Sequence, residues 1–205
     1  MGRGTRTNKG NRQIVAPGIR LANKSERLGK QLWRGVLPEK SRFVPIKNHS
    51  HPKPISGGLW TSTEIAPGVS SFSDWIDIEC DSLWKGSRPE DIWEAIPRRD
   101  ANVYQIDALE DLEYIQDKYP VENTSVYKRF EKVFGSESMS HLRISLPVFD
   151  YEAFAEDRIY DGFHVTDAAI RSEELADDGF ISIFRGWDRE SILWAHWAFE
   201  GFKKV

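Results

Sequence analysis

Two short runs in this chain carry side chains that could do chemistry. Residues 57–63 read Gly-Gly-Leu-Trp-Thr-Ser-Thr and place three hydroxyls on a strand-like stretch. Residues 186–191 read Gly-Trp-Asp-Arg-Glu-Ser and place two carboxylates between two apolar segments. Hydroxyls and carboxylates serve in proton transfer and in stabilising developing charge. The chain has no Gly-x-x-x-x-Gly-Lys-Ser phosphate loop, no Gly-x-Ser-x-Gly elbow and no glycine-rich dinucleotide fingerprint, so these two runs are the candidates.

Each candidate residue also has a purely structural interpretation. Ser62 could be a strand residue that faces solvent, and Glu190 could form a turn ion pair with Arg189, which contributes little. The tryptophans in and near both runs are typical of a hydrophobic core, because large aromatic side chains dominate core packing. His164 stands in an apolar segment and the sequence offers it no adjacent partner, so it is interpreted as a core histidine.

The charges are divided unevenly along the chain. Residues 1–47 contain twelve Lys and Arg but only two Glu, a net charge of +10, whereas the remainder carries −14. This division predicts an extended basic arm over residues 1–42 and a globular domain over residues 43–205. The arm is either a segment that docks on a partner or a solvated tail, and its basic side chains could also neutralise nucleic-acid phosphates.

The composition also bears on compartment and metal binding. A single cysteine, Cys80, excludes an internal disulfide framework. The first thirty residues contain no apolar signal segment, and no stretch approaches the roughly eighteen apolar residues of a membrane helix. We therefore expect no secretion by a signal peptide and no membrane partner. Since no His, Cys or Asp spacing is typical of a metal site, no metal is predicted.

Local patterns predict short strands and helices. Alternating or apolar runs predict strands at residues 43–46, 58–63, 102–106, 141–146, 162–166, 180–184 and 192–197. Helical spacing and capping residues predict helices at residues 71–81, 109–118, 125–134, 150–157 and 167–174. Because strands and helices interleave without a repeating β-α-β rhythm, the sequence predicts a mixed α+β domain.

The order of the motifs resembles that of a known family. The motifs are Lys53-Pro54, residues 57–62, Ser73-Asp74-Trp75, residues 151–154, residues 160–166, and residues 186–191 followed by Leu193-Trp194. Over residues 43–197 this order resembles a family of small, mostly uncharacterised proteins of actinobacteriophages and actinobacteria. By its layout that family resembles the ADP-ribosyltransferase fold, whose members split NAD and transfer ADP-ribose. The resemblance implies a split-sheet domain that holds NAD in a cleft between two small sheets.

The resemblance also implies roles for particular residues. In transferases with an Arg/His, Ser and Glu triad, the serine lies in an aromatic-x-Ser strand, which Trp60-Thr61-Ser62 resembles. The glutamate follows a polar residue by two positions, which Asp188-Arg189-Glu190 resembles. Ser62 and Glu190 are therefore the implied catalytic residues, and Trp60, Thr61 and Ser62 the implied NAD contacts. The first triad position has no clear match, and the cations near the opening strand that could contact NAD in its place are Arg42, Lys47, His49 and His51.

Two functions follow as hypotheses. In the first, this is a phage-encoded, virion-associated protein with an NAD-binding, ADP-ribosyltransferase-like domain that modifies a host macromolecule. In the second, it is a non-catalytic minor capsid, head or decoration protein that uses residues 1–42 to dock on neighbouring phage structural proteins or on nucleic acid. Both hypotheses imply a location in the virion or the host cytoplasm.

Overall fold

The computed structural model describes residues 28–71, 91–171, 176–177, 181–182, 187 and 189–205. In this part of the chain the strands are β1 (Gln31–Arg34), β2 (Leu59–Ala66), β3 (Val69–Ser70), β4 (Ile92–Pro97), β5 (Val103–Ile106), β6 (Gly162–Val165), β7 (Ala176–Asp177), β8 (Ile181–Ser182), β9 (Ser191–Trp194) and β10 (Phe199–Lys204). The α-helices are α1 (Leu109–Lys118), α2 (Ser125–Phe134), α3 (Tyr151–Asp157) and α4 (Asp167–Arg171). Short 3-10 helices cover Lys40–Arg42, Val121–Asn123 and Ser136–Ser145.

Eight of these strands form one mixed sheet. Its order is β10-β4-β1-β2-β9-β6-β5, and β3 pairs with β2 outside this order. Neighbouring strands are antiparallel except for β5 and β6, which are parallel. The predicted α+β class is therefore confirmed. Strands β7 and β8 pair with each other in a separate two-stranded antiparallel sheet. The ADP-ribosyltransferase-like split sheet stays a prediction.

The predicted boundary between an arm and a globular domain at residues 42 and 43 needs correction. Strand β1 lies inside the sheet, paired with β2 on one edge and with β4 on the other. Gln31 and Leu32 are buried, at 0% and 4% exposure. Residues 28–42 thus belong to the folded domain, and the remainder of the predicted arm, residues 1–27, lies outside the described residues.

Two predicted strands are wrong. Residues 43–46 form no strand, although Val44 accepts a hydrogen bond from the Gly58 N–H through its carbonyl at 2.7 Å. Residues 141–146 lie mostly in the 3-10 helix Ser136–Ser145, which packs back on α2 through Met139, Leu146 and Val126. This segment packs on α2 and not on the edge of a sheet. The alternation of apolar and polar residues in its sequence therefore does not indicate a strand here.

The helix predictions hold where the structure describes them. Helices α1 and α2 have the predicted bounds, and α3 begins one residue after the predicted start. The hydroxyl of Thr124 and the carboxylate of Asp150 accept backbone N–H groups at the starts of α2 and α3, both at 3.0 Å. Thr166 caps α4 in the same way at 3.3 Å. The predicted helix at residues 71–81 lies outside the described residues except for Ser71.

Alternation along the central strands separates two apolar clusters. Trp60, Phe163 and Leu193 face one side of the sheet and join the larger cluster, which includes residues of α1 and α3. Leu59, Ile192 and Trp194 face the other side, where they pack with Ala198 and Phe199. None of the helices in the described part of the chain is long and apolar enough to span a membrane.

Candidate functional site

The site lies where β2 changes partners. Residues 59–61 of β2 pair with β9, whereas the pairing of β2 with β3 begins at Glu64, opposite Ser70. The Thr63 N–H falls between these two partners and would lack a ladder acceptor. Glu190 directly precedes β9, and its carboxylate oxygen Oε2 accepts this N–H at 2.9 Å. The Glu190 side chain therefore completes the edge of the sheet.

The Glu190 carboxylate accepts two hydrogen bonds on each oxygen. The Ser62 hydroxyl shares its single hydrogen between Oε2, which also accepts the Thr63 N–H, and the Glu190 carbonyl, each at 2.9 Å. The Thr63 hydroxyl and the His164 Nε2–H donate to Oε1, at 2.8 and 2.6 Å. Glu190 is 7% exposed. Burial opposes its ionisation, but the hydrogen bond and the Coulombic attraction from His164, with the hydrogen bonds from Thr63, outweigh burial and lower the pKa of this carboxyl below its ordinary value.

His164 is the site residue that the sequence did not indicate. It lies on β6, opposite Ile192 of β9, and the antiparallel register of these strands brings its ring beside Glu190. The sequence favoured a satisfied core histidine here without showing its partner, and the structure supplies that partner as Glu190. Only the pairing of β6 with β9 reveals this contact, and an isolated sequence pattern does not report it.

A second layer of hydrogen bonds orients the Thr63 hydroxyl. The fully buried Gln31 donates from Nε2 to the Thr63 hydroxyl at 3.0 Å and accepts from the Thr61 hydroxyl at 2.8 Å. The Trp194 indole N–H donates to the same Thr61 hydroxyl at 2.8 Å. Because Gln31 already donates to the Thr63 oxygen, the Thr63 hydrogen is left to point at Glu190. Strand β1, which lies in the predicted arm, thus helps to build the site.

A cavity of about 290 Å³ adjoins this cluster on the Trp60 face of the sheet. Its wall is formed by Leu32, Trp33, Arg34, Lys53, Trp60, Thr61, Ser62, Ser70, Ile92 and Ser191. The Lys53 ammonium lies 4.7 Å from the centroid of the Trp60 ring. Ser62 contributes to the wall although it is only 2% exposed, and Glu190 lies behind it. The cavity wall therefore combines cations, aromatic rings and hydroxyls. The Glu190 carboxylate is not part of the wall but is hydrogen-bonded to Ser62, which is.

The loop at residues 43–58 carries Lys53 to the cavity. The Asn48 side chain donates to Asp150 at 2.8 Å and accepts the Tyr151 N–H at 2.9 Å, which docks the loop on the start of α3. The Tyr151 hydroxyl donates to the Pro52 carbonyl, next to Lys53. These contacts fix the loop against the core, so the position of Lys53 is set by α3.

The four basic residues proposed near the opening strand lie elsewhere. Arg42 pairs with Glu39 at 3.3 Å and Lys47 with Glu152 at 3.4 Å. The His49 ring bonds the Ser56 hydroxyl at 2.6 Å, and the His51 ring bonds the backbone of Lys53. None of the four lines the cavity. The structure thus brings together Ser62, Glu190, Trp60 and Thr61 but not Arg42, His49 or His51, and it adds Lys53 and Arg34 as the cations of the cavity wall.

The tryptophans that the sequence assigned to the core are largely there. Trp187 and Trp194 are buried, and the Trp60 ring meets Trp187 edge to face at 5.6 Å between centroids. Trp60 and Trp33 are only partly buried, and each packs on one of the two apolar clusters and also lines the cavity. Among the described residues, no group of three or more His, Cys, Asp or Glu side chains is placed to hold a metal ion.

The chain was also compared with known proteins. No family model, no curated protein and no solved structure gave a significant match.

Proposed function

We propose that this chain is a phage-encoded, virion-associated protein whose folded domain binds NAD and cleaves its nicotinamide glycosidic bond. One observation carries the proposal. Ser62 and Glu190 are 128 positions apart in sequence, yet their side chains hydrogen-bond at 2.9 Å, and Ser62 lies in the wall of a cavity. A hydroxyl and an ionised carboxylate beside a cavity are the groups that this reaction needs.

The cavity has the chemistry of a nucleotide site. Arg34 and Lys53 provide positive charge suited to phosphate, and the partly exposed face of Trp60 can stack on a base. Ligand pockets usually measure about 300–1,000 Å³, so this cavity is at the small end of that range. We expect it to hold the nicotinamide and its ribose, with the rest of the dinucleotide extending past Lys53.

The geometry favours an electrostatic role for Glu190. When the glycosidic bond breaks, nicotinamide leaves with the bonding electron pair and positive charge develops on the ribose. Four hydrogen bonds keep Glu190 ionised, and its charge can stabilise that cation through Ser62. Since both carboxylate oxygens are already occupied, the acceptor supplies the new electron pair and releases its proton to solvent instead of to Glu190.

Calorimetry with NAD tests this proposal. Lys53→Met keeps the side-chain stem but removes the cation at the cavity, so we expect NAD to bind about tenfold more weakly. Lys47→Met is the matched control, because Lys47 lies in the same loop but pairs with Glu152 at 3.4 Å outside the cavity wall. Nicotinamide release should fall in Ser62→Ala. Absence of NAD binding by the unmodified protein, or equal affinities for the two lysine variants, would overturn the proposal.

A second candidate function is that of a non-catalytic phage structural protein. The observation that favours it is the burial of the site, with Ser62 only 2% and Glu190 only 7% exposed. In this case the hydrogen bonds around Glu190 have a structural role only: they hold β1, β2 and β6 to the start of β9. In such a protein Glu190→Gln would lower the free energy of unfolding. Neither the unmodified protein nor the variant would bind NAD.

A further inference from the structure

We infer that His164 is a positioning residue that holds Glu190 in its working orientation by donating a hydrogen bond from Nε2. The inference rests on the proposed function for its kinetic consequence, but its structural part can be measured separately. His164 does not line the cavity, so it acts through Glu190 instead of touching the ligand.

The carboxylate of Glu190 is held from two strands on opposite sides of β9. Ser62 and Thr63 reach it from β2, and His164 reaches it from β6. The His164 contact, at 2.6 Å, is the shortest of the four, and both side chains are largely buried, at 12% and 9% exposure. Without His164 every remaining donor would come from β2, so the Oε1 oxygen would lose the hydrogen bond that fixes it against β6.

The protonation of the ring follows from its partners. An ionised carboxylate only accepts hydrogen bonds, so Nε2 must carry a hydrogen. The Nδ1 atom is buried and has no hydrogen-bond partner within the described residues. Glu190 is the titratable side chain that contacts the ring in the described part of the chain, so this contact orients the ring and places a hydrogen on Nε2.

Long-range ¹H–¹⁵N NMR of the histidine rings tests the hydrogen on Nε2 without any ligand. At pH 7 we expect the His164 ring to carry a hydrogen on Nε2. Glu190→Gln replaces the charged acceptor of this hydrogen by a neutral amide, so the Nε2 signal of His164 should shift. An Nε2 atom without a hydrogen in the unmodified protein, or an unchanged His164 ring in Glu190→Gln, would overturn the inference.

The kinetic consequence is tested by two substitutions of His164. Leucine removes the donor at similar volume, whereas glutamine can place an N–H near the position of Nε2. For nicotinamide release we expect kcat to fall on the order of 10- to 100-fold in His164→Leu with KM changed less than about threefold, and His164→Gln to retain most of kcat. The acid limb of the kcat–pH profile should move to higher pH in His164→Leu, because Glu190 loses a hydrogen bond that favours its charged form.

His141→Leu is the control for this series, since His141 is exposed in the 3-10 helix Ser136–Ser145. Equal losses in His164→Leu and His164→Gln, with thermal unfolding showing both folded, would contradict a positioning role. If the unmodified protein releases no nicotinamide, the proposed function fails, and the NMR result alone then decides whether His164 orients Glu190.

Discussion

At the scale of single residues, the free-energy cost of burying the Glu190 carboxylate is offset by hydrogen bonds to both of its oxygens. Removing a carboxylate from water costs several kcal/mol unless its oxygens are hydrogen-bonded. Here two hydroxyls, one backbone N–H and one imidazole N–H satisfy it. A protonated carboxyl would need to donate a hydrogen in a ring of donors, which disfavours the neutral form. The site is thus built for an anion.

This arrangement predicts how stability depends on pH. The folded-state pKa of Glu190 lies below its ordinary value of 4.5. A lowered pKa contributes stability that is fully present above the unfolded value and is lost as the pH falls through the folded one. At pH 7 we expect Glu190→Gln to lower the free energy of unfolding by about 1–3 kcal/mol, and this difference should shrink below about pH 4.5. Urea unfolding at pH 7, 5, 4 and 3 measures it.

Glu113→Gln provides the control for this measurement. Glu113 lies exposed on α1, so its substitution should change stability by no more than about 0.5 kcal/mol at any of these pH values. A difference for Glu190→Gln that stays constant from pH 7 to pH 3 would mean that the folded state does not lower the pKa of Glu190.

At the scale of elements, sequence patterns predicted what local spacing determines. The apolar spacing of α1 and the capping threonine of α2 are contained in about ten residues each, and both helices have the predicted bounds. Strand β1 was missed because Gln31–Arg34 stands among basic residues whose charge suggested an arm. Its place depends on pairing with β2 and β4, some 30 and 60 residues away.

The candidate site shows the same limit. Ser62 and Glu190 could be named from short motifs, and the structure brings them into contact. The cation of the cavity was sought at Arg42, His49 and His51, yet Lys53 takes this place because Asn48 and Tyr151 anchor the loop on α3. His164 could not be named, because the pairing of β6 with β9 brings it to Glu190. Long-range pairing, which one sequence does not report, accounts for these differences.

The chain enters β2 through Gly58, whose lack of a side chain lets Leu193 and Trp194 of β9 approach its backbone closely. Gly58 has φ = +69°, and a Cβ atom there would lie 2.5 Å from the Leu193 side chain and 2.8 Å from the Trp194 carbonyl. Gly58→Ala should therefore push β2 away from β9 and lower the free energy of unfolding by about 3 kcal/mol or more. Gly135 is the matched control, since its φ is +80° but a Cβ atom would meet nothing within 4 Å.

Comparing the two alanine variants separates strain from crowding. Gly135→Ala meets no crowding, but its φ of 80° and ψ of 154° lie in a region that is essentially limited to glycine, so we expect a loss of about 1–3 kcal/mol in denaturant unfolding. Equal losses for the two variants would show that the approach of β2 to β9 tolerates a methyl group, contrary to the structure.

At the scale of the whole molecule, the folded body begins earlier than the charge pattern indicated. All strands of the eight-stranded sheet lie between residues 31 and 204, and β1 is the third of the seven strands on its main path. Residues 1–27 retain seven Lys and Arg against one Glu, a net charge of +6. We propose that this shorter basic segment, instead of residues 1–42, docks on phage structural proteins or nucleic acid.

Two truncations test this division of the chain. Deleting residues 1–27 leaves every strand of the sheet, so we expect a cooperative thermal unfolding transition close to that of the full chain. Deleting residues 1–42 also removes β1, which exposes the edges of β2 and β4 and takes Gln31 from the hydrogen bonds behind Glu190, so this variant should show no cooperative transition. Circular dichroism measures both transitions.

Incorporation into phage particles can then be compared between the full chain and the 28–205 protein. If the 28–205 protein folds but is not incorporated, residues 1–27 are needed for docking and not for folding. A cooperative transition in the 43–205 protein would instead restore the arm boundary at residue 42 and show that β1 is dispensable to the sheet.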